Sequence, residues 1–183
     1  MSQPEIETLS SRIVYENRWM KVREDRIRRR SGAIGLYGVV EKPDFVAIAA
    51  LHEGGLMMVE QYRYPVGARS LELPQGSWED QADVDHAVLA AAELREETGF
   101  AAASLVYAGH LHLGCAFSNQ RYHIYLASGL THVGSDPDPE EEGLEAKCIG
   151  LDQVEAMITA GEITDATTVA VLGLLRLKGL LPR

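Results

Sequence analysis

An α/β sandwich, a mixed sheet held between helices and preceded by antiparallel strands, is the fold that three features of this 183-residue chain predict. Runs rich in Val, Ile, Tyr and Phe recur along it, broken by Gly and Pro. A central stretch, Ala87 to Leu94, is dense in helix formers, and two amphipathic segments close the chain. Several strands, one central helix and two terminal helices imply a layered domain around one sheet.

In chain order, "RIVYENRWMKVREDRIRRRSGAIGLYGVVEK" mixes β-formers with basic residues and a Ser-Gly turn, and reads as two or three strands with charged outer faces. "FVAIAALHEGGLMMVEQYRYP" reads as two apolar strands joined through Glu53-Gly54-Gly55. "SLELPQG" is a short strand stopped by Pro74 and Gly76. A loop then leads to the central helix, with Asp83 or Asp85 as N-cap and Gly99 as its stop. "SLVYAGHLHLG", "RYHIYLASGL" and the region of "LEAKCIGL" are further strands, with an acidic loop, "GSDPDPEEEG", before the last. "LDQVEAMITAGE" and "DATTVAVLGLLRLKG" are the closing helices.

Composition narrows the classes of function. With 46% hydrophobic and 24% charged residues the chain builds a core and stays soluble. Its length fits one domain, or one with a short accessory segment. Asp and Glu outnumber Lys and Arg by 27 to 17, a net charge of −10, which lacks the basic footprint of a nucleic-acid binder. An anionic substrate then needs a divalent cation to neutralise the site. Cys115 and Cys148 are far apart, without C-x-x-C spacing, and are expected to be free thiols. No secretory signal pattern and no membrane-length apolar run is present, so a cytoplasmic protein with no membrane partner is expected.

"ELREETGF", at the end of the central helix, carries the chemistry. Glu93, Glu96 and Glu97 are three and four residues apart and share a face. Like charges at these spacings destabilise a helix by about 0.2–0.5 kcal/mol per pair. Carboxylates at a helix C-terminus also oppose its dipole, by about 0.3–1 kcal/mol. A solvated acidic face is the plain explanation. A hard-cation site is the sharper one, because clustered carboxylate oxygens suit Mg²⁺. The shared face, the opposed dipole and the tight "ELPQG" turn just upstream favour the cation site.

This stretch resembles the Nudix box, G-x5-E-x7-R-E-U-x-E-E-x-G-U with U aliphatic. Glu93, Leu94, Glu96, Glu97 and Gly99 match its second half, with aromatic Phe100 at the last position. The first half departs: Gly76 lies 23 residues before Gly99 where the pattern has 21, Val84 stands at the first glutamate and Ala92 at the arginine. Glu79 or Asp83 in the longer loop, and Arg95 nearby, are the candidates to compensate. "VEQYRYPVG…LELPQG" and "GEITDATTVAVLGLL" are similar to the segments that flank the box in ADP-ribose and nucleoside-diphosphate-sugar pyrophosphatases, so the likeness spans most of the chain.

The resemblance implies a Nudix-type α/β/α sandwich, with residues 1-42 as an N-terminal β segment for dimerisation and 43-183 as the hydrolase domain. It implies a homodimer and a metal-dependent hydrolase, using Mg²⁺ or Mn²⁺, that splits ADP-ribose or a nucleotide sugar into a nucleoside monophosphate and a sugar phosphate. Glu93 and Glu97 would ligate the metal, with Glu96 sharing or bridging and the Gln75 carbonyl adding a ligand. The base would come from the acidic loop, Glu142 ahead of Glu140, with Glu141 beside them. Arg63 either grips a phosphate or makes a surface salt bridge. Trp19 either stacks an adenine or, in an N-terminal strand, belongs to a dimer core, and Glu72 either contacts substrate or caps its strand. His110 and His112 share a strand face, and with no third ligand evident they read as half-buried strand histidines. "GCAFSNQ" places Gln120 where the subfamily has a glutamate. Against the enzyme stands a non-catalytic module that binds or senses nucleotide sugars.

Overall fold

A computed structural model describes residues 4–78, 84–134 and 142–182. Strands β1 (Ile6–Glu16), β2 (Lys21–Arg29) and β3 (Ile34–Glu41) form a separate antiparallel sheet in that order. Its register sets Arg12 opposite Glu24 and Glu7 opposite Arg28, and both pairs form ion pairs. Opposite charges directly across a ladder favour that pairing over a slipped one. The sheet leaves Ile13, Tyr15, Ile34 and Leu36 exposed.

The main sheet begins with β4 (Phe45–His52) and β5 (Gly55–Arg63). Glu53 and Gly54 between them have φ of 47° and 80°, the two positive values of the turn whose twist matches a tight hairpin. Then follow β6 (Ala68–Glu72), β7 (Gln75–Gly76), α1 (His86–Thr98), β8 (Phe100–His112), β9 (Arg121–His132), β10 (Glu145–Gly150), α2 (Leu151–Ala160) and α3 (Ala166–Leu177). The seven-stranded sheet runs β10-β5-β4-β9-β8, with β6 beside β5 and β7 beside β4. Among the described strands only β4 and β9 pair in parallel, so the sheet is mixed.

Both faces of this sheet are covered. Val46, Ile48 and Ala50 of β4 pack with Leu89, Ala90 and Leu94 of α1, while Ala47 and Ala49 pack with Val154 of α2 and Val171, Leu172 and Leu175 of α3. Burial on both sides explains why "FVAIAAL" is continuously apolar rather than alternating. A fully buried leucine such as Leu94 contributes about 1.5–3 kcal/mol of transfer free energy. The expected sandwich is the observed one.

Helix α1 is fixed at both ends. Asp85 is the N-cap, its side chain accepting from the Ala87 amide at 2.9 Å, and Gly99 ends the helix at φ 77° with its N–H donating to the Arg95 carbonyl. That left-handed residue turns the chain straight into β8, which starts at Phe100 rather than near Ser104. The other candidate cap, Asp83, lies outside the described residues.

The N-terminal sheet joins the main body through the loop between β8 and β9. The Val40 amide donates to the Phe117 carbonyl at 2.7 Å, Ser118 Oγ donates to the Val40 carbonyl at 2.8 Å, and the Tyr37 hydroxyl donates to the Ala116 carbonyl at 3.0 Å. Among the described residues no helix is long and apolar enough to cross a membrane. Both cysteines are free and exposed.

Candidate active site

The buried stripe of α1 runs Leu89, Ala90, Glu93, Leu94, Glu97, so its apolar periodicity continues directly into two carboxylates. Glu93 is 6% exposed and Glu97 2%, while Glu96 is half-buried. A solvated acidic face is thereby excluded for this pair. Burying carboxylates is costly unless they are hydrogen-bonded or paired, and this cost is borne at one place in the fold.

That place is the segment 72–76, held residue by residue. Glu72 receives Arg63 Nε at 2.9 Å and Nη2 at 2.5 Å, and Gln75 Nε2 at 2.5 Å. The Leu73 amide donates to Thr168 Oγ1 at 2.9 Å, and the Pro74 carbonyl accepts from the Ile48 amide at 2.9 Å. The Gln75 amide donates to Glu97 Oε2 at 3.0 Å. Gly76 lies directly under the Glu93 carboxylate, where a Cβ would overlap Cδ and both oxygens. The short β7 pairing to Val46 and Ala47 completes the anchoring.

Arg63, Glu72, Gln75 and Gly76 line a cavity of about 510 Å³, together with Lys42, Arg69, Gln120 and the approach to α3 from Thr164 to Thr167. Hydrogen bonding to Glu72 is the main cause that holds the Arg63 guanidinium charged, against burial, and the Glu72, Glu97 and Asp165 charges add to it. Burial pushes the Glu72 carboxyl upward, but the hydrogen bonds and charge of Arg63, with Ser70 and Gln75, outweigh it and hold the group below its usual range. Arg63 is therefore both a salt-bridge partner and a cavity wall.

Of the other sequence candidates, Gln120 alone among the described residues shares this cavity. Trp19 is in the β1–β2 connection rather than in a strand; it is 42% exposed, carries the Arg18 guanidinium 5.0 Å from its ring centroid, and lines a second cavity of about 380 Å³. Asn17 makes that connection, its side-chain oxygen accepting from the amides of Trp19 and Met20. Lys42 borders both cavities. Glu142 is exposed in the turn before β10 and does not line the larger cavity. Glu79, Asp83, Glu140 and Glu141 lie outside the described residues. Gln120 is buried, its side-chain amide donating to the Pro43 carbonyl at 2.7 Å.

His110 and His112 do share a face, with ring centroids 6.3 Å apart, but both are exposed rather than half-buried, because β8 is an edge strand. His110 also faces buried His123 on β9 at 5.9 Å, and the His123 ring lies against that of His86, centroids 3.5 Å apart and tilted by 46°. Burial and the neighbouring His86 push His123 below its ordinary value, with Asp44 opposing. Among the described residues no three His, Cys, Asp or Glu side chains gather to hold a metal by themselves.

Sequence reasoning missed the α3 end of the site. Asp165 caps α3, its Oδ2 accepting from both the amide and the hydroxyl of Thr168 at 2.7 Å. The signal was present in "TDATT", an Asp followed three residues later by a Thr at a helix start.

A mixed sheet covered by helices on both faces, with a glutamate-bearing central helix packed on a Gly turn, defines a Nudix-type hydrolase fold. A solved structure described as an ADP compounds hydrolase has the same fold, with a TM-score of 0.84 at 20% identity over 99% of this chain and all of that one. The chain is 32% identical to an ADP-ribose pyrophosphatase of Mycobacterium tuberculosis over 93% of its length and 83% of the relative's, and 25% identical to one of Bacillus subtilis over 97% and 96%. A methanol dehydrogenase activator of Bacillus methanolicus is 29% identical over 95% and 94%. Residues 6–40 match the nucleoside diphosphate sugar hydrolase N-terminal domain. The chain belongs to the Nudix hydrolases, in the ADP-ribose and nucleoside-diphosphate-sugar pyrophosphatase family, and it is an enzyme.

Proposed function

We propose that this enzyme is a divalent-metal-dependent pyrophosphatase that hydrolyses ADP-ribose or a related nucleotide sugar to a nucleoside monophosphate and a sugar phosphate. The observation that carries the proposal is the burial of Glu93 and Glu97 against the 72–76 turn. The names of the M. tuberculosis and B. subtilis relatives support the substrate class.

The donors fit Mg²⁺ or Mn²⁺. Carboxylate and carbonyl oxygens suit hard cations, and the missing Cβ at Gly76 leaves the Glu93 carboxylate room beside the turn. Glu93, Glu97 and the Gln75 carbonyl would hold the ion, with Glu96 at the margin. Mg²⁺ keeps several waters and takes substrate phosphates, so it needs few protein carboxylates, in keeping with the lack of a closed three-ligand cluster among the described residues. When bound, such an ion neutralises phosphate charge and makes water a better nucleophile.

The chain's own groups do the rest. Glu72 occupies Nε and Nη2 of Arg63, which leaves Nη1 to meet a phosphate oxygen in the cavity. Glu142 is the candidate to accept the proton of the attacking water. Trp19 offers a flat apolar face to a base, and Lys42 stands where that cavity meets the larger one. The exposed apolar residues of the N-terminal sheet would be covered in a homodimer. Free thiols and the acidic charge fit a cytoplasmic enzyme that does not bind nucleic acid.

The test is hydrolysis of a panel of ADP-ribose, nucleotide sugars, NADH, diadenosine polyphosphates and nucleoside triphosphates, each with Mg²⁺, Mn²⁺ or chelator. Turnover of a nucleoside-diphosphate-linked compound is expected, lost with chelator and in Glu97→Gln. Silence across the panel with retained nucleotide-sugar binding would overturn the proposal in favour of a binding module.

A further inference from the structure

Segment 72–76 is hydrogen-bonded to α3 through Leu73 and Thr168, and that contact has no part in the chemistry proposed above. The Thr168 side chain, 0% exposed, accepts the Leu73 amide at 2.9 Å and donates its own proton to Asp165 Oδ2 at 2.7 Å. Its amide donates to the same Asp165 oxygen at 2.7 Å. The hydroxyl thus serves as donor and acceptor at once, which fixes its rotamer and the direction from which the Leu73 N–H must arrive.

Leu73 stands between two working residues. On one side Glu72 orients Arg63 and the Gln75 side chain; on the other the Gln75 amide orients Glu97. A shift of the Leu73 peptide therefore moves both ends of the site. The other half of the contact is the stretch from Thr164 to Thr167, which lines the cavity. One buried hydroxyl ties the wall that a substrate touches to the turn that aligns the carboxylates.

We propose that Thr168 is a positioning residue for the hydrolysis: its hydroxyl locks the Leu73 peptide to the N-terminus of α3 and so sets the alignment of Glu97 and Arg63. The inference rests on the catalytic reading of the Gln75–Glu97 contact. Thr168→Val removes the hydroxyl with little change of shape, and Thr168→Ser keeps it. Misalignment of groups that act in the transition state lowers kcat more than it raises KM. A fall in kcat of about tenfold is expected for Thr168→Val, with KM within about twofold, and recovery in Thr168→Ser.

Amide exchange by NMR on the metal-free protein gives the readout independent of turnover. The Leu73 amide should be strongly protected in the wild type and in Thr168→Ser, and should exchange at least about tenfold faster in Thr168→Val while buried Met57 of β5, paired with β4 and β10, stays protected. Rapid exchange of Leu73 in the wild type refutes the lock without any variant, which covers a Thr168→Val chain that does not fold. Unchanged kcat in Thr168→Val, or no recovery in a folded Thr168→Ser, also overturns the proposal. If instead Glu97→Gln retains turnover while Leu73 protection follows the hydroxyl, the catalytic reading fails and the lock stands as a structural contact.

Discussion

Gly76→Ala is the substitution for which the structure gives the sharpest magnitude. Gly76 has no positive φ, so alanine is compatible with its backbone, and the three atoms nearest its methyl group all belong to the Glu93 carboxylate. The most distant of the three carboxylate atoms, Oε1, would sit 2.5 Å from the new Cβ, against 3.4 Å for ordinary contact. Glu93 must retreat by about 0.9 Å or more, and a displacement near 1 Å of a catalytic group costs about 10²-fold in rate. The fold loses less, because the obstacle is the tip of a flexible side chain: an off-rotamer Glu93 costs about 0.5–1.5 kcal/mol. For a chain of this size that is a fall of about 1–6 °C in Tm. Steady-state hydrolysis and differential scanning fluorimetry on the same preparation read both numbers. A variant with wild-type kcat would refute the placement of Glu93 in the site, whatever its Tm.

Two pH effects follow from the shifted groups. Glu72 is held below its usual value, so its stabilising contribution is complete above about pH 4.3 and is lost as pH falls through the folded value. Glu72→Gln should cost about 1–2 kcal/mol in urea unfolding at neutral pH, a figure discounted because the Arg63 side chain is 36% exposed, and the gap to wild type should close as pH falls from about 4.3 through the lowered folded value. A gap independent of pH would show that the pair is not ionic. His123 is also depressed, which for a histidine means the unfolded chain takes up the proton first and stability declines as pH drops below about 6.5. Among its neighbours His86, Asp44, Arg121, Tyr107 and His110, only Asp44 and the tyrosine lack a positive form. His123→Gln should flatten unfolding free energy from about pH 7 to 5, where the wild type falls by up to about 1.4 kcal/mol per pH unit; parallel slopes would refute it.

The sheet and helices were legible because their signals are local and redundant. Glu53-Gly54 marks its hairpin by backbone need, and Asp85 and Gly99 bracket α1 by capping chemistry. The glutamates were legible as a conflict: carboxylates on a stripe that is otherwise apolar. Sequence alone could not show that this stripe is buried, since that depends on a turn 17 residues upstream of Glu93 at Gly76. Thr168 was hidden for the same reason. It sits 95 residues from Leu73, and a threonine in an amphipathic helix is unremarkable until its partner arrives. Trp19 was misplaced because the Asn17 side chain closes a compact connection inside a run of β-formers.

The loop from Leu113 to Gln120 has two clients. Phe117 and Ser118 clasp β3 of the N-terminal sheet, while Leu113 and Gln120 stand in the cavity wall. Deleting the first 41 residues would therefore slacken the substrate pocket even in an enzyme that worked as a monomer. A charge placed on the outer face, such as Leu36→Asp, would disturb the proposed subunit pairing and leave the clasp whole. Comparing the two lesions separates what the accessory sheet does for its own pocket from what it does for a second copy.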